Sequence, residues 1–237
     1  MSPGTQTQSG AARRLLAALL LAGASFGGAP LHAADWNGYL SLSSDYMYRG
    51  VSLLDSGPGL QGSIEGRFDD RFVVGAWAAN IDHQWYESSA RTDAELNLYG
   101  GVDFGCGDRC RARIIVTDYV YAGGNHSWQE ATLSIAFAGR VGASVSYSPH
   151  GAGPAGDSTR TVEGWAVQPI SRDLSVSVDA GKVWLGSFGY WYARAGMSRK
   201  VGRWVFDLSH YWSDPAYRTY GFDDRSQRFV ISASTAF

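Results

Sequence analysis

Asp45 and Arg49 lie four residues apart in Ser43-Ser44-Asp45-Tyr46-Met47-Tyr48-Arg49-Gly50-Val51-Ser52. In an extended chain that spacing puts both charges on one face. Glu65 and Arg67 share a face by the same rule, two residues apart. Glu95, Asp103, Asp179, Arg194 and Asp207 take the matching positions of later alternating segments. Opposite charges on one face of a sheet support two kinds of chemistry. They can ring a water-filled constriction that screens solutes by size and charge. They can also form a salt-bridged plug that fastens the wall. Both readings stay open at the level of sequence.

Covalent catalysis finds less support. A base must reach its nucleophile within hydrogen-bond distance. His210 precedes Ser213 by three residues, with Asp214 next, and His126 adjoins Ser127. Neither spacing presents a His and a Ser on one strand face, so no catalytic residue is assigned and an enzyme is not expected. His210 is expected at an outer aromatic rim. The stretch 82–91, with His83, Trp85, Tyr86 and Glu87, reads as an exposed loop. Gly151 to Gly156 (GAGPAG) reads as a flexible loop, because no Lys-Ser/Thr follows to make a phosphate cradle. Cys106 and Cys110 are too few for a metal site. In an exported chain they are expected to form a local disulfide. No metal and no cofactor is expected.

The elements that must position these groups begin after a targeting segment. Arg13 and Arg14 precede the apolar run Leu15–Ala22, and Leu31-His32-Ala33-Ala34 offers a small-residue cleavage site. This is the layout of a Sec-type signal peptide, expected to cover residues 1–33 with cleavage after Ala33 or, second, Ala34. The apolar run is too short to span a bilayer, and no later stretch is long enough for a membrane helix. Residues 34–237 then suit one domain. With 20 basic and 22 acidic residues the chain is not basic, and loss of Arg13 and Arg14 makes it more acidic. That argues against nucleic acid as a partner.

Period-two alternation recurs from Trp36 to Phe237. It predicts an all-β fold, an antiparallel up-and-down transmembrane β-barrel of about twelve strands. The segments are 36–50, 59–68, 71–81, 92–104, 111–121, 128–138, 140–149, 159–168, 173–183, 189–199, 202–213 and 226–237. Facing is ambiguous for 111–121, 159–168 and 189–199. Leu133, Ile135 and Phe137 alternate with Thr132, Ser134 and Ala136, and Phe229, Ile231 and Ala233 with Val230, Ser232 and Ser234. Short turns alternate with longer loops, as in outer-membrane barrels. Aromatic residues predict two belts. One holds Trp36, Phe68, Phe72, Phe104, Phe137, Trp204 and Phe237. The other holds Tyr46, Tyr48, Tyr119, Tyr121, Tyr147, Trp191, Tyr211, Trp212 and Phe229. A soluble sandwich or lipocalin-like barrel is the alternative, but one strand face is mostly Gly, Ser, Thr and charge, which packs a dry core poorly. A mean hydropathy of −0.18 with 30 Gly fits lipid outside and water inside.

The segment Ser44-Asp45-Tyr46-Met47-Tyr48-Arg49-Gly50-Val51-Ser52 resembles the signature S-D-Y-x-x-R-G-x-S of the TorF-like porin family of proteobacteria, also known as the Gcw_chp domain. Gly59-Leu60-Gln61-Gly62 and Gly75-Ala76-Trp77-Ala78-Ala79-Asn80 resemble its next two strands. The likeness runs from about residue 36 to the C-terminus and is strongest in the first third. It implies a Gram-negative outer-membrane barrel whose members are described mainly as candidate porins. The terminal Phe237 resembles the signal read by the barrel-assembly machinery. The resulting expectation is passive diffusion of small hydrophilic solutes through a narrow, mixed-charge lumen lined by Asp45, Arg49, Glu65, Arg67, Glu95, Asp103, Asp179, Arg194 and Asp207. A non-conducting structural or ligand-binding barrel is the alternative, ahead of a barrel hydrolase. Outer-membrane lipid and lipopolysaccharide are the other expected partners.

Overall fold

The computed structural model describes residues 35–83, 91–122, 127–151, 156–214 and 227–237. The expected signal peptide, Trp85, Tyr86, Glu87, His126, the centre of GAGPAG and the segment 215–225 lie outside the described residues. The strands are β1 (Asp35–Ser43), β2 (Met47–Tyr48), β3 (Val51–Ser52), β4 (Gly59–Phe68), β5 (Phe72–His83), β6 (Thr92–Gly105) and β7 (Cys110–Ala122). They continue as β8 (Ser127–Phe137), β9 (Val141–Ser148), β10 (Thr159–Pro169), β11 (Leu174–Leu185), β12 (Phe188–Val201), β13 (Trp204–Ser213) and β14 (Gln227–Ala236).

Twelve of these form one closed antiparallel barrel, each strand paired with its neighbours in sequence, while β2 and β3 pair only with each other. The first and last strands close the ring, from Tyr39 opposite Ala236 to Ser43 opposite Ser232. The Gly38 N–H donates to the Phe237 carbonyl (2.9 Å) and the Phe237 N–H to the Gly38 carbonyl (3.0 Å). A side chain at Gly38 would meet the Phe237 ring at 2.6 Å, so the seam depends on glycine there. Closure leaves no unpaired edge, which a sheet in hydrocarbon requires.

Alternation sorts the side chains. Ile114, Val116 and Val120 point out from β7, Leu133, Ile135 and Phe137 from β8, and Trp204, Phe206 and Leu208 from β13. Phe229 is 72% exposed and Ile231 63%. An apolar surface this continuous is a lipid-facing wall. The three ambiguous strands now have a facing: Arg113, Tyr119 and Tyr121 point inward from β7, Thr161 and Glu163 from β10, and Tyr190, Tyr192 and Arg194 from β12. Asp118 falls in the outward row of β7, near the loop rim.

One rim carries the tight turns, the side that is periplasmic in outer-membrane barrels. Asp69 (φ 50°), Asp70 (φ 56°), Ala138 (φ 50°) and Gly139 (φ 63°) take the left-handed conformation that two-residue hairpin turns need. Cys106 and Cys110 are disulfide-bonded in the turn between β6 and β7, with Cα atoms 4.9 Å apart. The opposite rim carries the longer connections, with one difference from expectation. β11 and β12 extend to Leu185 and Phe188, so only Gly186 and Ser187 join them.

Two further expectations are corrected. The first strand ends at Ser43 rather than continuing to residue 50: the chain turns inward to bury Asp45 and Tyr46, and Arg49 (φ 49°) and Gly50 (φ 81°) then fold it back on itself between β2 and β3. In the second aromatic belt, Tyr147, Trp191, Trp212 and Phe229 face outward. Tyr46, Tyr119 and Tyr121 are buried inside, and Tyr48 and Tyr211 also lie on the inner side. They sit at strand ends by position, but their parity points them away from lipid.

Leu208 lies midway along β13 on the lipid face. Leu208→Arg is expected to cost about 2–4 kcal/mol in urea unfolding from phospholipid vesicles. Replacing its inward neighbour Asp207 with Asn should cost less than half as much.

Candidate functional site

Ser44 still pairs with Ile231 of β14, and the segment Asp45–Gly57 that follows leaves the wall and folds into the lumen. Val51, Ser52, Leu53 and Leu54 form a run that is buried throughout, which no single face of a water-lined strand could accommodate. The Leu53 N–H bonds the Tyr46 carbonyl (2.9 Å) to close the hairpin, and the Asp82 N–H bonds the Leu53 carbonyl (2.8 Å) to dock it on β5. Asp55 and Ser56, both with positive φ, return the chain to β4. At the hairpin tip Gly50 lies against Ser213 and Tyr192, where any side chain would clash.

Polar anchors tie this hairpin to distant strands. Arg49 donates two parallel bonds, each 2.7 Å, to Glu130 of β8, whose side chain is 2% exposed. Such fork-to-fork pairs fix orientation as well as contact. Asp45 accepts from Ser52 (2.8 Å) and from Arg228 of β14 (2.8 Å). Arg228 also bonds Ser56. Burial pushes the Asp45 carboxyl above its ordinary range, against the Ser52 hydrogen bond and the Arg228 charge, which pull it down. The Ser213 hydroxyl donates to the Gly50 carbonyl (2.5 Å). Tyr46 donates to Glu95 of β6 (3.3 Å), which also accepts from Asn97 (2.8 Å).

Around these anchors lies an apolar cluster. The Tyr46 ring sits 5.3 Å from Trp77, and Tyr48 sits 6.2 Å from Tyr119. Trp128 stacks between Tyr119 (4.9 Å) and Tyr121 (5.0 Å). Leu53, Leu54 and Val51 join Ile81, Val183 and Tyr190 in the same cluster. The loop-side half of the lumen therefore has a packed interior, in which the inserted segment meets inward aromatic and aliphatic side chains of β5, β7, β8, β11 and β12.

The short-turn half is different. Arg113 binds Asp103 (2.5 Å) and Glu65 (3.0 Å), and Arg67 binds Asp103 (3.0 Å) and approaches Glu65 at 3.8 Å. Higher on the far wall Arg194 binds Asp179 (2.5 Å). Asp207 accepts from Ser198 (2.7 Å) and Ser209 (2.5 Å), and Glu163 accepts from Tyr192. The Arg67, Arg113 and Arg194 side chains keep 25–36% exposure, so these pairs border water.

The constellation expected from sequence is thus divided. Asp45 and Arg49 belong to the hairpin and pair with β14 and β8. Glu65 and Arg67 belong to a separate cluster with Asp103 and Arg113. Asp179 and Arg194 form a third group, with Asp207 near it, and Glu95 is buried beneath Tyr46. Arg113, Glu130, Glu163 and Arg228 complete these groups and were not singled out from sequence. Their signal was inward parity on strands whose other face is apolar. His210 and Ser213 fall on opposite sides of the wall: His210 faces out, 4.5 Å from the Phe229 ring, and Ser213 faces in. No cluster of His, Cys, Asp and Glu suited to a metal occurs among the described residues.

A family described as bacterial protein of unknown function (Gcw_chp) matches residues 31–222. No curated protein matches the chain. In shape it is similar to the NanC porin, with a TM-score of 0.56 at 8% identity over 85% of this chain and 99% of that one. It is similar also to the KdgM porin (TM-score 0.55, 8% identity, 85% and 99%). A KdgM porin in complex with disordered oligogalacturonate gives 0.52 at 9% identity, covering 85% and 98%. At these identities the likeness is one of fold.

Removing one partner of a buried pair strands the other charge. Arg49→Ala or Glu130→Ala is expected to destabilise the barrel by about 3–5 kcal/mol in urea unfolding. The apolar pair Arg49→Met with Glu130→Leu should lie closer to wild type than either single change.

Proposed function

The chain belongs to the Gcw_chp family of bacterial proteins of unknown function, and from its porin-like barrel we propose that it is a narrow outer-membrane channel for passive diffusion of small hydrophilic solutes. The observation that carries this reading is the water-bordered half of the lumen, lined by Glu65, Asp103, Arg113, Asp179 and Arg194 and narrowed at the loop side by the hairpin. Alternating fixed charges at a narrow passage select by size and charge. Export through a signal peptide ending near Ala33, and assembly guided by the terminal Phe237, belong to the same reading. No catalytic step is assigned.

The balance of charge refines the solute class. Each inward arginine of the salt bridges already faces an acid, while Glu163 and Asp207 have no salt bridge among the described residues and are met by hydroxyls. An acid excess favours small cations and zwitterions over anions. The oligogalacturonate bound by the KdgM porin is a polyanion, and this lumen's charge argues against taking the same class here.

A second reading has its own support. The apolar cluster around Leu53 and Tyr46 resembles a dry core, which favours a plugged, non-conducting barrel. Planar-bilayer recording separates the two. As a channel, the wild-type protein conducts steadily, and replacing Tyr46–Ser56 with a short Gly-Ser turn raises conductance several-fold. A silent wild type with an open deletion variant supports the plug, and silence of both removes the channel reading. Under a potassium chloride gradient the reversal potential should show cation preference, reduced by Glu163→Gln with Asp207→Asn.

A further inference from the structure

The lipid-facing wall breaks its apolar pattern at one place on the loop-side rim. Lys182, in the outward row of β11, has its Nζ 5.0 Å from the ring centroids of both Trp184 and Trp191. Arg160 points outward from β10 and is exposed. Arg160 lies directly opposite Trp184, and Val162 opposite Lys182. The two residues are therefore diagonal neighbours on adjacent strands, positions whose spacing is about 7–8 Å and within reach of long side chains. The outward positions of β9 to β13 around them carry no carboxylate. Asp157 sits in the loop above, against Gly186.

Directly below, the same wall is scooped out. One row across the strands runs Gly164, Ala180, Ala193 and Trp212, and the next runs Ala166, Val178, Ala195 and His210. These small side chains leave an apolar groove of about 450 Å³, flanked by Trp212 and His210. A lysine held between two tryptophans with an arginine beside it, above a groove of small side chains, matches an amphiphile with anionic phosphate at one end and hydrocarbon at the other. The groove floor also includes Trp165, Asp179 and Arg194, whose positions belong to the inward rows of the same strands.

We propose that this face is a binding site for the phosphorylated lipid A part of lipopolysaccharide, with phosphate between Arg160 and Lys182 and an acyl chain in the Gly164–Ala180–Ala193 groove. The cations stand on the loop rim, and the outer leaflet there is made of this lipid. A second copy of the chain fits less well, because a two-fold interface on this face would set the cations against themselves.

Native mass spectrometry of the purified protein tests the site, with folding checked by heat-modifiable gel migration. The probes are bis-phosphorylated lipid A, its dephosphorylated form and phosphatidylethanolamine. Wild type is expected to retain one lipid A and to discriminate against the other two. Arg160→Gln with Lys182→Gln should weaken retention about thirtyfold. Ala180→Leu with Ala193→Leu should weaken it with the charges intact. The proposal is overturned by unchanged retention in the charge variant, by equal binding of phosphatidylethanolamine, or by a dimer in place of a lipid adduct. If the leucine variant does not fold, the charge variant alone decides.

Discussion

Backbone pairing without an edge is the constraint on which everything else rests. In hydrocarbon an unpaired N–H or carbonyl has no water to turn to. The ring closed by β1 and β14 meets that demand, and Gly38 lets the terminal Phe237 ring cross the seam. Once the ring is closed, side-chain parity follows with no further choice. One residue in two meets lipid and the next meets the lumen. That is why His210 and Ser213, three apart, cannot cooperate, and why an alternating chain has an unremarkable mean hydropathy.

The lumen of a barrel this size must still be filled or kept wet. Here the two halves take different solutions. Near the short turns, Arg113, Asp103, Glu65 and Arg67 stay hydrated and satisfy each other at the wall. Near the loops, one inserted hairpin supplies apolar mass, and its charges meet partners from the opposite walls. A buried ion pair such as Arg49 with Glu130 is a weak source of net stability, since desolvation cancels much of its attraction. Its worth is positional: with the Asp45–Arg228 pair it fixes where the hairpin can lie.

The wall was legible because alternation is a local property. The twelve strands and the outward facing of Leu133, Ile135, Phe229 and Ile231 follow from counting by two. The hairpin was not legible in the same way. Asp45 and Arg49 satisfy strand spacing as well as hairpin spacing, and only the turn at Arg49-Gly50 decides between them. The overlooked hint was the run Val51-Ser52-Leu53-Leu54 followed by Asp55-Ser56-Gly57-Pro58, too apolar on both faces for a pore-lining strand. Arg113, Glu130 and Arg228 escaped for a different reason: which acid meets which arginine across a lumen depends on barrel closure, and closure leaves no trace in any short window. Tyr119 and Tyr121 lie near the loop-side end of β7, where an aromatic belt is expected, but their parity turns them inward.

Whether such a hairpin acts as a lid or as a fixed filter turns on how its anchors are distributed. They reach β5, β6, β8, β13 and β14, through Leu53, Tyr46, Arg49, Gly50 and Asp45 in turn. A lid hinged at one end breaks few contacts when it swings. This segment would have to release two ion pairs, separating Arg49 from Glu130 and Asp45 from Arg228, and part the Tyr48–Tyr119 and Tyr46–Trp77 contacts together. Each stranded charge alone costs several kcal/mol. On the channel reading, then, solutes pass beside the hairpin rather than after its departure, and selectivity belongs to a static aperture.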